Sequence, residues 1–108
     1  MIQKPPKPAK QVAKVLKVGQ RIFGRFICFN FIFRSPGFLK VVVGTKTAKK
    51  AVKRNWLKRI TREYLREKIP AGVQLVVTFK KIEKEELPTA EEIRADLAEC
   101  LEKLKEEL

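Results

Sequence analysis

Histidine is absent from the 108 residues, and aspartate occurs once, at Asp96. No acidic residue of either kind precedes Glu63. A hydrolase acting by itself needs a nucleophile with a base, or a bound metal. Without histidine there is no histidine relay, and no carboxylates cluster in the first half. The two cysteines, Cys28 and Cys100, belong to no C-x-x-C pair, so a zinc centre built from Cys and His is excluded. Neither a G-x-x-x-x-G-K-S/T loop nor a G-x-G-x-x-G turn is present. No apolar run approaches the ~18 residues of a membrane span, and the N-terminus has no apolar signal segment. The expectation is a reduced cytoplasmic protein with no membrane, no small-molecule substrate, no metal of its own and no catalytic residue.

What the chain has in excess is positive charge. The net charge is +13, and it is unevenly placed. Residues 1–68 hold 19 Lys/Arg against 2 acids, whereas 69–108 hold 6 against 10. Hydrophobic content is 44%, enough for one globular core, so the basicity is not that of a disordered tail. A polyanion is the natural partner, and its surface belongs to the first two-thirds.

Residues 44–68, GTKTAKKAVKRNWLKRITREYLREK, hold a helix of about five turns. At 100° per residue, Val52, Trp56, Leu57, Ile60 and Tyr64 share one arc. Arg54, Asn55, Lys58, Arg59, Arg62 and Arg66 share the opposite one. Like charges four apart destabilise a helix by a few tenths of a kcal/mol per pair. Arg54, Lys58, Arg62 and Arg66 form such a series, a cost that a nucleic-acid backbone offsets. Thr45 or Thr47 is the expected N-cap, with Lys46, Lys49 and Lys50 near exposed N–H groups that suit a phosphate.

Around this helix the chain reads in order. Residues 1–8 form a basic, Pro-rich arm, and 9–108 form one domain. Residues 9–18 make a short amphipathic helix closed by Gly19. Residues 21–33 carry five of the seven phenylalanines and read as one long strand. Ile22, Phe26, Cys28, Asn30 and Ile32 point to one face. Phe23, Arg25, Ile27, Phe29, Phe31 and Phe33 point to the other. One face packs under the long helix; the other is covered by the short helix or left as an apolar groove. A type II turn at 34–37 suggests a hairpin to a second strand at 38–44. Residues 73–79 form a third strand, parallel to a neighbour because a helix precedes it. After a loop at 83–88, Thr89 opens a capping-box helix over 90–107, with Ile93, Leu97, Cys100, Leu101, Leu104 and Leu108 inward. Its carboxylates, interleaved with Lys and Arg, read as a solvated face. The order is α-β-β-α-β-α, a small α+β sandwich.

The run GTKTAKKAVKRNWLKRITR at 44–62 resembles the signature of the bacterial ribonuclease P protein family. Ala51-Val52, Arg54-Asn55, Lys58-Arg59 and Arg62 match in register, and the order of elements agrees over about 9–105. The resemblance implies an α-β-β(-β)-α-β-α fold with a left-handed βαβ crossover, in which the long strand region is split. It implies a subunit of an RNA enzyme that removes the 5′ leader of precursor tRNA, with Mg²⁺ bound mainly by the catalytic RNA. Lys46, Lys49, Lys50, Arg54, Asn55, Lys58, Arg59, Arg62 and Arg66 would then face the catalytic RNA. Val12, Leu16, Arg25, Phe26, Cys28 and Asn30 would line a groove for the single-stranded leader.

The chain departs from the signature at Trp56, where Arg is usual, and at Thr47 and Lys49. Trp56 either stacks on a base or enlarges the core. Groove positions that are commonly aromatic are here Val12, Leu16 and Asn30, leaving Phe26 or a neighbour to supply an aromatic surface. The alternative function is a ribosomal or RNA-chaperone protein that binds structured RNA without a role in cleavage.

Overall fold

A computed structural model describes residues 8–82 and 87–108. Residues 1–7 of the basic arm and 83–86 of the loop before the last helix lie outside the described residues, and Pro8, expected in the arm, opens the first helix. Seven elements follow in order: α1 (Pro8–Val18), β1 (Gln20–Phe23), β2 (Ile27–Phe33), β3 (Phe38–Val42), α2 (Ala51–Leu65), β4 (Val73–Phe79) and α3 (Ala90–Glu106). The strands form one sheet in the order β1-β2-β4-β3. Helices α2 and α3 pack on each other and cover one face, while α1 lies against β2 and β4. No helix among the described residues is long and apolar enough to cross a membrane.

The long strand expected over 21–33 is two strands. Gly24, Arg25 and Phe26 break it, and the cause lies seventy residues away. The Asp96 carboxylate, on α3, accepts the backbone N–H groups of Arg25 at 2.7 Å, Phe26 at 2.8 Å and Ile27 at 3.2 Å. A Cβ at Gly24 would meet Asp96 Oδ1 at 2.5 Å, so only glycine admits this approach. Asp96 is therefore buried and structural, and not part of a solvated face.

The hairpin expected between 21–33 and 38–44 does not form. β4 inserts between them, antiparallel to β2 and parallel to β3. Its first five residues are buried, and so are those of β2. Strands buried on both faces take the centre of a sheet, and β3, with Lys40 and Val42 exposed, takes an edge. The hairpin that exists joins β1 to β2.

The core lies on the α2/α3 side, where Ile27, Phe29, Phe31, Val41, Leu75 and Val77 meet Leu57, Ile60, Leu65, Ile93, Leu97 and Leu104. α3 begins with the expected capping box, in which Thr89 and Glu92 exchange side-chain and backbone bonds. Leu108 lies past its end and is exposed. Both thiols are buried. Burial raises the pKa of Cys28, and that of Cys100 is pushed up to about 12, so neither is a thiolate at neutral pH.

α2 begins at Ala51, later than an N-cap at Thr45 or Thr47 would place it. Its N-cap is Lys50, without a side-chain cap bond. Thr47 is buried instead, its hydroxyl donating to the Lys80 carbonyl at 3.2 Å, which pins the preceding turn to the end of β4. The inward arc of α2 is Leu57, Ile60, Thr61 and Leu65, with Trp56 and Tyr64 half-buried beside it. Val52 was expected on that arc but is 79% exposed. It lies about 140° around the helix from Leu57, in a first turn that makes no contribution to the core.

Candidate nucleic-acid interface

The arc of α2 that turns away from the core carries Asn55, Lys58, Arg59 and Arg62, continued by Arg66 just past the helix end. All are exposed except Lys58, which is half-buried. From Asn55 to Arg66 the row is about 16 Å long at 1.5 Å per residue. Lys46, Lys49 and Lys50 stand exposed on the turns before the helix. None of these side chains makes a hydrogen bond or ion pair with a described residue. A row of basic side chains that forms no ion pair with a described carboxylate, Glu63 on its flank included, is an electrostatic surface for a polyanion.

Arg54 differs from its neighbours. It is half-buried, and its guanidinium donates to the carbonyls of Ala48 at 3.0 Å and Lys49 at 2.6 Å. It braces the turn that leads into α2, which satisfies carbonyls where no side chain caps the helix. On the helical wheel it lies beside Thr61 and not among the outward cations.

On the α1 side of the sheet, Val12 and Leu16 are half-buried, and Val15 between them is fully buried. Cys28 and Asn30 do face this side, but they are covered, with 8% and 3% of their surface accessible. Asn30 spends its amide inside the sheet, donating to the Val76 carbonyl at 3.2 Å and the Thr78 hydroxyl at 3.3 Å. These two residues form the floor beneath α1 and do not line an open groove. Phe26 does not join them. It sits in the β1–β2 turn and packs against the core, with the Arg25 guanidinium 4.8 Å from its ring centre. Arg25 also pairs with Glu92 at 3.8 Å, a largely exposed contact of small energetic weight.

The aromatic surface on this side belongs to Phe23, which is 60% exposed. It is the cross-strand partner of Cys28 and therefore shares its face. Alternation counted straight through 21–33 puts Phe23 on the opposite face, because it ignores the turn. Gly24, interrupting a run of strand formers, is the sequence signal for that break. The Lys80 ammonium lies 5.6 Å from the Phe23 ring centre and bonds the Gly24 carbonyl at 2.6 Å. Arg21 stands exposed on the same strand, bonded to the Leu16 carbonyl at 3.2 Å. An exposed ring flanked by two cations is a surface for an unpaired nucleotide.

A family model described as Ribonuclease P matches residues 7–105, nearly the whole chain. The chain belongs to the ribonuclease P protein family. The RNase P protein from Thermotoga maritima is similar in structure, with a TM-score of 0.77 and 26% identity, covering 94% of this chain and 97% of that one. The same Thermotoga protein in complex with 1-(4-fluorophenyl)-2-thiourea gives a TM-score of 0.77 and 27% identity over 90% and 96%. A Staphylococcus aureus RNase P protein shares the fold, with a TM-score of 0.72 and 23% identity over 94% of each chain. No curated protein matches the chain. Membership of the ribonuclease P protein family makes the chain a protein subunit of a tRNA-processing ribonuclease, with the ribonuclease P RNA as its partner.

Proposed function

We propose that the outward row of α2 binds the catalytic RNA, while the α1 side of the sheet holds the single-stranded 5′ leader of precursor tRNA. The observation that carries the first half is the row Asn55, Lys58, Arg59, Arg62 and Arg66, which forms no ion pair with a described residue, with Lys46, Lys49 and Lys50 at its start. Each phosphate it engages releases condensed counterions, so binding weakens steeply with salt. The chain acts by positioning RNA. The chemistry in this reading belongs to the RNA, with Mg²⁺ that the RNA binds. The protein's described residues contain no cluster of acidic, His or Cys side chains able to hold a cation. The setting is the cytoplasm, where precursor tRNA is made.

The leader half rests on Phe23, Lys80 and Arg21, with Val12, Leu16 and Arg25 near the path. Unpaired bases stack on exposed rings, and cations follow the backbone. Phe23→Ala is therefore expected to lower holoenzyme affinity for precursor tRNA by roughly tenfold, since stacking is worth about 1–3 kcal/mol per base. Affinity for mature tRNA stays unchanged. Binding titrations with both tRNAs check this. Equal losses for the two, or no loss for either, would remove Phe23 from the leader path.

A further inference from the structure

The first two turns of α2 carry an apolar feature that the cationic row does not explain. Val52 is exposed, and Trp56, one turn on, is half-buried with its remaining surface open. With Lys53, Asn55 and Arg59 they line an open hollow of about 470 Å³. The indole N–H, the Asn55 amide and the Arg59 guanidinium have no hydrogen-bond partner among the described residues. A flat aromatic surface thus stands beside a free amide and free cations, a few ångströms from the helix start.

We propose that this hollow is a stacking site for one unpaired nucleobase of the bound RNA, a deepening that rests on the reading of α2 as the RNA face. Each part has a chemical counterpart in a nucleotide. The indole and the Val52 methyls take the base plane. The Asn55 amide, donor and acceptor together, matches a base edge, and Arg59 or Lys53 takes the adjoining phosphate. The base must be unpaired, because only then is its face available. Charge argues against a second copy of this chain. A two-fold contact through the hollow would press Lys53 and Arg59 against their own images, with no carboxylate in its lining. One valine and part of one indole are also far less than the ~1,000 Å² of a stable protein interface.

Trp56 is the only tryptophan, so its emission reports this site alone. The full chain is titrated with a ten-nucleotide oligoadenylate, with an abasic ribose-phosphate oligomer of the same length, and with a ten-base-pair RNA duplex. Oligoadenylate is expected to quench Trp56 emission at least twofold. The abasic oligomer and the duplex, followed by anisotropy, bind with little quenching. Trp56→Phe should keep oligoadenylate affinity within about threefold. Trp56→Leu, which keeps apolar volume but no ring, should lose about tenfold for oligoadenylate and nothing for the abasic oligomer. Thermal melts of both variants show whether the fold is intact.

Equal quenching by the abasic oligomer, or equal oligoadenylate affinity of Trp56→Leu and the wild type, would overturn the site and leave Trp56 an extension of the core. A concentration-dependent dimer in sedimentation, lost in Trp56→Leu, would overturn it in favour of a second copy. If the wild type binds ribonuclease P RNA with its full salt dependence while Trp56→Leu is unaffected, the helix reading stands and only the base site falls. If the wild type binds neither oligomer nor that RNA, the helix reading itself has failed and the base site falls with it.

Discussion

Replacing Asp96 with Ala is expected to lower the unfolding free energy by about 3 kcal/mol, a drop of roughly 10–20 °C in melting temperature. The carboxylate accepts three backbone N–H groups from one turn, and all three lose their partner together. Bonds to a charged acceptor are worth about 1.5–3 kcal/mol each, and three on one carboxylate do not add fully. Asp96→Asn should lie between, since its amide oxygen still accepts while its NH₂ faces backbone donors. Gly24 supplies an internal check. A Cβ there strikes the Asp96 carboxylate, so Gly24→Ala alone is costly. In the double variant the obstruction is gone, and the combined loss should be clearly smaller than the sum of the single losses. Denaturant titrations of the four proteins measure this coupling. An additive result would mean that the turn is held by something other than Asp96. The same turn carries Arg25 and Phe26 and follows Phe23, so the Asp96 variants should also bind precursor tRNA more weakly under folding conditions.

The second large effect is expected on RNA affinity with no loss of stability. Replacing Arg59 and Arg62 with Ala removes two exposed side chains that make no hydrogen bond or ion pair with a described residue. Affinity for ribonuclease P RNA should fall at least tenfold near 150 mM salt, and the slope of log K against log salt should flatten by about 2. The melting temperature should hold or rise slightly, because like charges on adjacent turns are removed. Arg54→Ala should behave oppositely. It loses two carbonyl bonds that hold the turn before α2, so stability falls by about 1 kcal/mol while the salt slope changes little. An Arg54 variant with the larger slope change would show that the row is assigned to the wrong side of the helix.

Local patterns carried a large part of this structure into the sequence. The outward cations of α2, the inward Leu57 and Ile60, the capping box at Thr89 and the leucine spacing of α3 all follow from helical periodicity. The parallel β3–β4 pair follows from the helix between them. What local pattern does not contain is a partner far along the chain. The break after Phe23 is made by Asp96 on the last helix, and alternation that runs straight through that turn puts Phe23 on the wrong face. The hairpin expected around Pro36 loses to β4, whose burial on both faces claims the centre of the sheet. Thr47 has the chemistry of an N-cap, yet the end of β4 competes for its hydroxyl. Val52 shares an arc with Trp56, but Thr61 and Leu65 carry the buried arc past Leu57 and leave Val52 on the far side of the helix.

The most direct test of the central claim is cleavage of a precursor tRNA by a bacterial ribonuclease P RNA at low Mg²⁺, with and without this protein. Strong stimulation of cleavage at the mature 5′ end is expected, lost in the Arg59→Ala, Arg62→Ala double variant and restored by raising Mg²⁺. Tight binding to the RNA with no stimulation, for a cognate RNA as well, would contradict that claim.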